Sequence, residues 1–149
     1  MAGVQSAFGN DNKLLTAMDE ADPQKVNLFV ALMYPDETQV DFNPNIICTA
    51  VRRRFLPGIR NARDFHSYAR GLLEASDLDV VFPRELWVEA LDGKEFVVGY
   101  VEISTADTTV RSMSYVTIRE GCLLQFVLSF TTDEQERELR NVLDSLKFE

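Results

Sequence analysis

The stretch from Leu91 to Thr131 constrains this chain more than any other part of it. Asp92-Gly93 separates two apolar, strand-like stretches, and Asp-Gly in that setting is the strongest short-range hairpin signal, because both residues tolerate positive φ. Glu120-Gly121 repeats the device before Cys122–Thr131. There Cys122, Leu124, Phe126, Leu128 and Phe130 alternate with Leu123, Gln125, Val127 and Ser129. A period of two held from Cys122 to Phe130 describes a strand with two different faces. With a looser turn over Thr105 to Thr108, the spacing predicts strands over Lys94–Ser104, Val110–Arg119 and Cys122–Thr131. A further strand precedes them over Asp79–Leu91, broken by Pro83. The whole is a four-stranded antiparallel meander.

The flanking segments supply the layers around it. Asn27–Tyr34 is a compact apolar run stopped by Pro35 and the turn Asp36-Glu37, which suits a buried strand. Asn45–Phe55 follows Pro44 with apolar residues on both faces, as a strand covered twice requires, and Pro57-Gly58 ends it. The period then changes. Asn61 is placed to cap a helix whose third residue, Asp64, complements the positive N-terminus, with Phe65, Ala69, Leu72 and Leu73 as its apolar stripe. His66, one position after Phe65, is expected at the border of that stripe or in solvent. A second helix starts at Thr132, with Gln135 completing a capping box and Leu139, Val142, Leu143 and Leu146 on one face. The predicted fold is α+β: an α/β/α sandwich on a twisted, mainly antiparallel sheet of about six strands covered by helices. Residues 24–149 form one domain, and 1–23 a poorly ordered N-terminal segment with a short helix at 13–20.

Composition excludes several functions. The 149 residues carry a formal charge of −9 and one His, and 46% of them are hydrophobic. An acidic domain repels polyanions and anionic lipid, so no nucleic acid is expected as partner. The apolar runs are far shorter than the ~20 residues of a membrane span, so no integral membrane segment is expected. No export signal opens the sequence as written. Cytoplasmic location is therefore expected, with the cell envelope or secretion the alternative for a chain whose leader has been removed.

Chemistry is sparse. Zinc and related metals need converging imidazoles or thiolates, and His66 with Cys48 and Cys122 offers no such set. Cys48 and Cys122 are read as reduced thiols, with a bridge between them left open. No nucleophile elbow and no glycine-rich phosphate loop is present. The carboxylate pairs Asp77/Asp79 and Glu85/Glu89 fall on polar stretches and are read as solvated faces. No catalytic residue, metal ligand or cofactor is expected.

Two features remain. Arg52, Arg53, Arg54, Arg60, Arg63 and Arg70 face a single acid, Asp64, within their stretch, which therefore carries +5 and leaves −14 on the rest of the chain. Guanidinium forks bind carboxylates bidentately, so these six form a candidate patch for an acidic partner segment or anionic ligand. The competing reading is that they neutralise acids of the same molecule. The second feature is Trp87, Phe96 and Tyr100, a candidate apolar groove between sheet and helix near Gly99, whose missing side chain permits close approach.

Several phrases are similar to a known group. The run Phe42-Asn43-Pro44-Asn45-Ile46-Ile47 resembles the strand-opening phrase of LpqN/LpqT-type lipoproteins. So do Asp92-Gly93-Lys94-Glu95-Phe96, Leu123-Leu124-Gln125-Phe126 and Asp144-Ser145-Leu146-Lys147-Phe148, which are also similar to the wider PsbP/Mog-type superfamily and to DcrB-like proteins. The resemblance implies an α/β/α sandwich and a mainly non-enzymatic role, with no shared catalytic residues. The expected function is a protein-binding or assembly-accessory domain. The alternative is a carrier or chaperone for an apolar ligand or partner helix. A long edge strand leaves homodimerisation open.

Overall fold

The computed structural model describes residues 25–34 and 42–148. The segment 1–23 with the short helix expected at 13–20, and the turn expected at Asp36-Glu37, lie outside the described residues. In chain order the elements are β1 (Lys25–Leu32), β2 (Asn45–Arg52), a 3-10 turn (Arg53–Phe55), α1 (Ala62–Ala75), β3 (Asp79–Val81), β4 (Trp87–Leu91), β5 (Lys94–Ser104), β6 (Thr109–Arg119), β7 (Cys122–Phe130) and α2 (Asp133–Asp144). They build one seven-stranded sheet, ordered β1-β2-β7-β6-β5-β3, with β4 also beside β5. Every pairing is antiparallel.

Local chemistry explains the boundaries. Asp92 and Gly93 have φ of 50° and 76°, and Glu120 and Gly121 have 53° and 77°, so both tight turns use two left-handed residues, as the twist of the flanking strands favours. Asn61 caps α1 through its side-chain oxygen, which accepts from the Asp64 amide. Thr132 and Gln135 form the reciprocal capping box of α2. The expected single strand over Asp79–Leu91 is two strands. Pro83 has no amide to donate, and the chain around it leaves the sheet. The sheet gains its seventh strand there: β3 pairs with Glu102–Ser104 at one end of β5, and β4 with Lys94–Val98 at the other.

The two faces differ. On the α2 face Ile46, Cys48, Phe96, Val98, Met113, Tyr115, Phe126, Leu128 and Phe130 pack with Leu139 and Leu143 into one fully buried core. Each such side chain contributes about 1.5–3 kcal/mol by leaving water. Phe126 sits at its centre, its ring 5.9–6.1 Å from those of Phe29, Phe96 and Phe148. Burial pushes the Cys48 thiol up to about 12. Cys122 pairs in register with Arg52 and Cys48 with Phe126, so the two sulfurs stand four residues apart along adjacent strands, and both are free. At ~3.3 Å per residue that offset is too long for a disulfide.

The α1 face has a smaller cluster, in which Ala62, Val116 and Leu123 pack with Leu56, Phe65, Val97 and Ile118. Beyond it this face carries a polar row. Ser112 and Ser129 lie 3.0 Å apart through their hydroxyls, and the Gln125 amide donates to Ser114 Oγ at 2.8 Å.

Candidate functional site

Ser112, Ser114 and Gln125 of this row floor a cavity of about 370 Å³ between α1 and the sheet. Val101, Ile103 and Val127 continue the floor, α1 supplies His66, Ala69, Arg70 and Leu73, and the segment joining β3 to β4 adds Phe82, Arg84 and Leu86 as a wall. The break at Pro83 creates this wall. Because β3 and β4 hold only the ends of β5, the outer edge at Gly99–Val101 is left without a strand, and the intervening residues fold over it.

His66 fixes the depth of the site. It is 8% exposed, and its Nε2 donates to the Val97 carbonyl at 2.8 Å, which sets the ring as the Nε2–H tautomer. The imidazole lies over Gly99. A β-carbon there would stand 2.9 Å from His66 Nδ1, 3.1 Å from its Cε1 and 3.2 Å from Leu86 Cδ2. This corrects the expectation for the helix. The buried line runs through Ala62 and His66 and on toward Ala69 and Leu73, whereas Leu72 is 57% exposed. The spacing 62, 66, 69, 73 is as regular as the apolar stripe read from Phe65, and an absent side chain on the sheet makes room for a ring.

Burial holds the His66 imidazole below its usual range, outweighing the Val97 carbonyl, and the nearby Arg63 charge acts in the same direction as burial. A folded value below the unfolded one means that stability from this residue is complete above pH ~6.5 and is lost as pH falls below it. Urea unfolding of the wild type at pH 7.5, 6.5 and 5.5 should therefore show a decline of at most ~1.4 kcal/mol per pH unit that His66→Asn lacks. Identical slopes for the two proteins would remove His66 as the cause.

Glu89, read from sequence as a solvated carboxylate, is half-buried on the other face. It accepts from Trp87 Nε1 at 2.6 Å, from the Tyr115 hydroxyl at 3.3 Å and from Arg140 Nη2 at 2.8 Å. It thus ties α2 to the sheet. Burial, and after it the Glu89 charge, raise Tyr115 well above the ordinary phenol range. Glu85 and Asp77 with Asp79 are exposed.

The three residues expected to form an apolar groove lie on the α2 face. Phe96 is 1% exposed in the core, and Trp87 and Tyr100 pack against the same core. Trp87 carries the Arg84 guanidinium on its ring at 3.9 Å, and Tyr100 donates to Glu102 at 2.9 Å. The cavity opens on the opposite face, and of the three only Tyr100 borders it. Sequence reading missed Ser112, Ser114 and Gln125. The signal was available in the alternation of β7, where Gln125 and Ser129 interrupt the face opposite Phe126.

The six arginines divide. Arg52, Arg53, Arg54 and Arg60 line a shallow depression with Leu56, Pro57, Ile59 and the Glu120-Gly121 turn. Arg63 is exposed on the first turn of α1. Arg70 belongs to the rim of the cavity, where it stacks on Phe82 at 4.3 Å and pairs with Glu74 at 2.5 Å. Among the described residues no three His, Cys, Asp or Glu side chains gather as metal ligands, and no helix is long and apolar enough to cross a membrane.

No family model and no curated protein matches the chain. Solved structures do. A protein of unknown function from Pseudomonas aeruginosa, PA94, superposes with a TM-score of 0.58 over 80% of this chain and 83% of its own, at 10% identity. LpqN of Mycobacterium tuberculosis, a protein involved in cell envelope biogenesis, aligns at 0.46 over 83% and 88%, with 17% identity. The likeness is one of fold. The α+β sandwich expected from sequence is the architecture observed, and the Pseudomonas aeruginosa structure shares that fold.

Proposed function

We propose that this chain is a non-enzymatic, protein-binding accessory domain that receives an apolar segment of its partner in the cavity beneath α1. The cavity itself carries the reading. Its volume of about 370 Å³ falls in the ~300–1,000 Å³ range of ligand sites, and aliphatic walls over a few hydroxyl and amide groups are the usual furnishing of such sites. Most titratable groups nearby are engaged in structure: Arg70 pairs with Glu74 and Arg84 stacks on Trp87, while Glu85 stands exposed at the cavity rim. His66 gives its proton to the Val97 carbonyl, and Glu89 on the other face is saturated by three donors. The resemblance to envelope lipoproteins and DcrB-like chaperones points the same way.

The test uses a neutral apolar fluorophore, N-phenyl-1-naphthylamine, displaced by a leucine-rich helical peptide. The wild type should bind the dye saturably at one site and release it to the peptide. Val101→Trp, which fills the cavity floor, should weaken both at least tenfold while circular dichroism stays unchanged. Absence of saturable dye binding by the wild type, or undiminished binding by the variant, ends the proposal. The same volume also suits a small apolar ligand, and native mass spectrometry decides between the two. A co-purifying small molecule favours the carrier, and a clean mass favours the partner segment.

A further inference from the structure

We propose that the depression at the end of β2 is a second docking site, specific for an extended acidic segment of a partner protein. Four arginines on three successive pieces of chain converge there: Arg52 closes β2, Arg53 and Arg54 form the following turn, and Arg60 precedes the α1 cap. The fold holds this turn in place. The Arg53 amide donates to the Gly121 carbonyl of the β6–β7 turn at 2.8 Å, and its Nε donates to the Ile59 carbonyl at 3.3 Å. The Arg54 guanidinium rests on the Phe55 ring at 4.7 Å.

Among the described residues, these four arginines do not neutralise the protein's own acids. Among the described residues no carboxylate lies within ion-pair distance of Arg52, Arg53, Arg54 or Arg60, whereas Arg111 and Arg140, which face α2, are each paired twice. Glu120 also lines the depression, from the β6–β7 turn, and among the described residues it is in no ion pair. In a molecule of net charge −9 this is a positive island, and at physiological salt a Debye length of ~8 Å isolates it from the acidic remainder.

The shape selects the occupant. The depression is open, about 770 Å³, and Leu56, Pro57 and Ile59 line it among the arginines. The side chains at the helix start are already turned to its own backbone: Asn61 accepts from the Asp64 amide and Asp64 accepts from the Arg60 amide at 2.9 Å each, which places a carboxylate where a phosphate would approach. Recognition is left to guanidinium forks spaced across the depression. That arrangement matches carboxylates distributed along a peptide with small apolar residues between them, and each fork can hold one bidentately.

The experiment measures anisotropy of a fluorescein-labelled peptide of alternating Glu and Ala, with alternating Lys and Ala as the control. Wild-type protein should bind the Glu peptide only, with affinity falling about tenfold between 50 and 300 mM NaCl. Arg54→Glu/Arg60→Glu should bind at least tenfold more weakly with an unchanged melting temperature. Arg52→Gln/Arg60→Gln, which adds no new charge, should lose binding in the same direction. Arg137→Glu on the exposed side of α2 and the cavity variant Val101→Trp should both bind as the wild type does, so this result stands apart from the cavity proposal. No binding by the wild type, full binding by both double variants, or displacement by inorganic phosphate as effective as by unlabelled Glu peptide would each overturn the docking site.

Discussion

Gly99→Val is expected to destabilise the protein by about 2–3 kcal/mol, read as a fall of roughly 5–10 °C in melting temperature. The reason is one of crowding with no relief. Even a β-carbon at this position stands 2.9 Å from the His66 ring, and valine adds two methyl groups beyond it. The ring is tethered to the Val97 carbonyl through Nε2, so moving it breaks a buried hydrogen bond and lifts α1 from the sheet. Pairing the substitution with His66→Ala should restore much of the loss, because removing the imidazole opens the space that the new side chain needs. Differential scanning calorimetry of the two single variants and the double variant checks this. Additive losses would show that His66 and Gly99 are not in contact.

Glu89→Ala should be still more costly, about 2–4 kcal/mol, on the opposite face. It strands the indole N–H of Trp87, the hydroxyl of the nearly inaccessible Tyr115 and one guanidinium edge of Arg140. A buried donor left without an acceptor costs its full desolvation penalty, and a charged one costs more. Glu89→Gln keeps an acceptor for the indole and the phenol and should retain about half of the stability. Denaturant titrations give the order wild type, glutamine, alanine. An alanine variant as stable as the wild type would mean that α2 is held by Leu139 and Leu143 without the carboxylate.

Sequence was most informative where one local rule decided the outcome. Asp92-Gly93 and Glu120-Gly121 specify two-residue turns, Asn61 and Thr132 specify helix starts, and β7 shows its faces through alternation, so the meander and both helices follow. It was less informative where a residue's role depends on a distant partner. His66 is buried because Gly99, thirty-three positions later, leaves room for it. Glu89 is engaged because Arg140 arrives on α2. Trp87, Phe96 and Tyr100 share a face by strand parity, but which face opens to a cavity depends on where α1 lands. The arginine stretch was visible as charge, and its division into four that converge, one exposed on α1 and one at the cavity rim is a matter of tertiary placement.

The split of the expected strand at Pro83 has an architectural consequence. β5 is anchored at both ends by separate short strands, so the residues from Phe82 to Leu86 carry none of the sheet's hydrogen-bonded register. They act as an interchangeable panel set into a fixed frame. Substitutions at Phe82, Arg84 or Leu86 can reshape what the cavity accepts without unzipping a strand. On the proposed reading, the specificity of the cavity is concentrated in one short connection, while the aromatic core lies apart on the far side of the sheet.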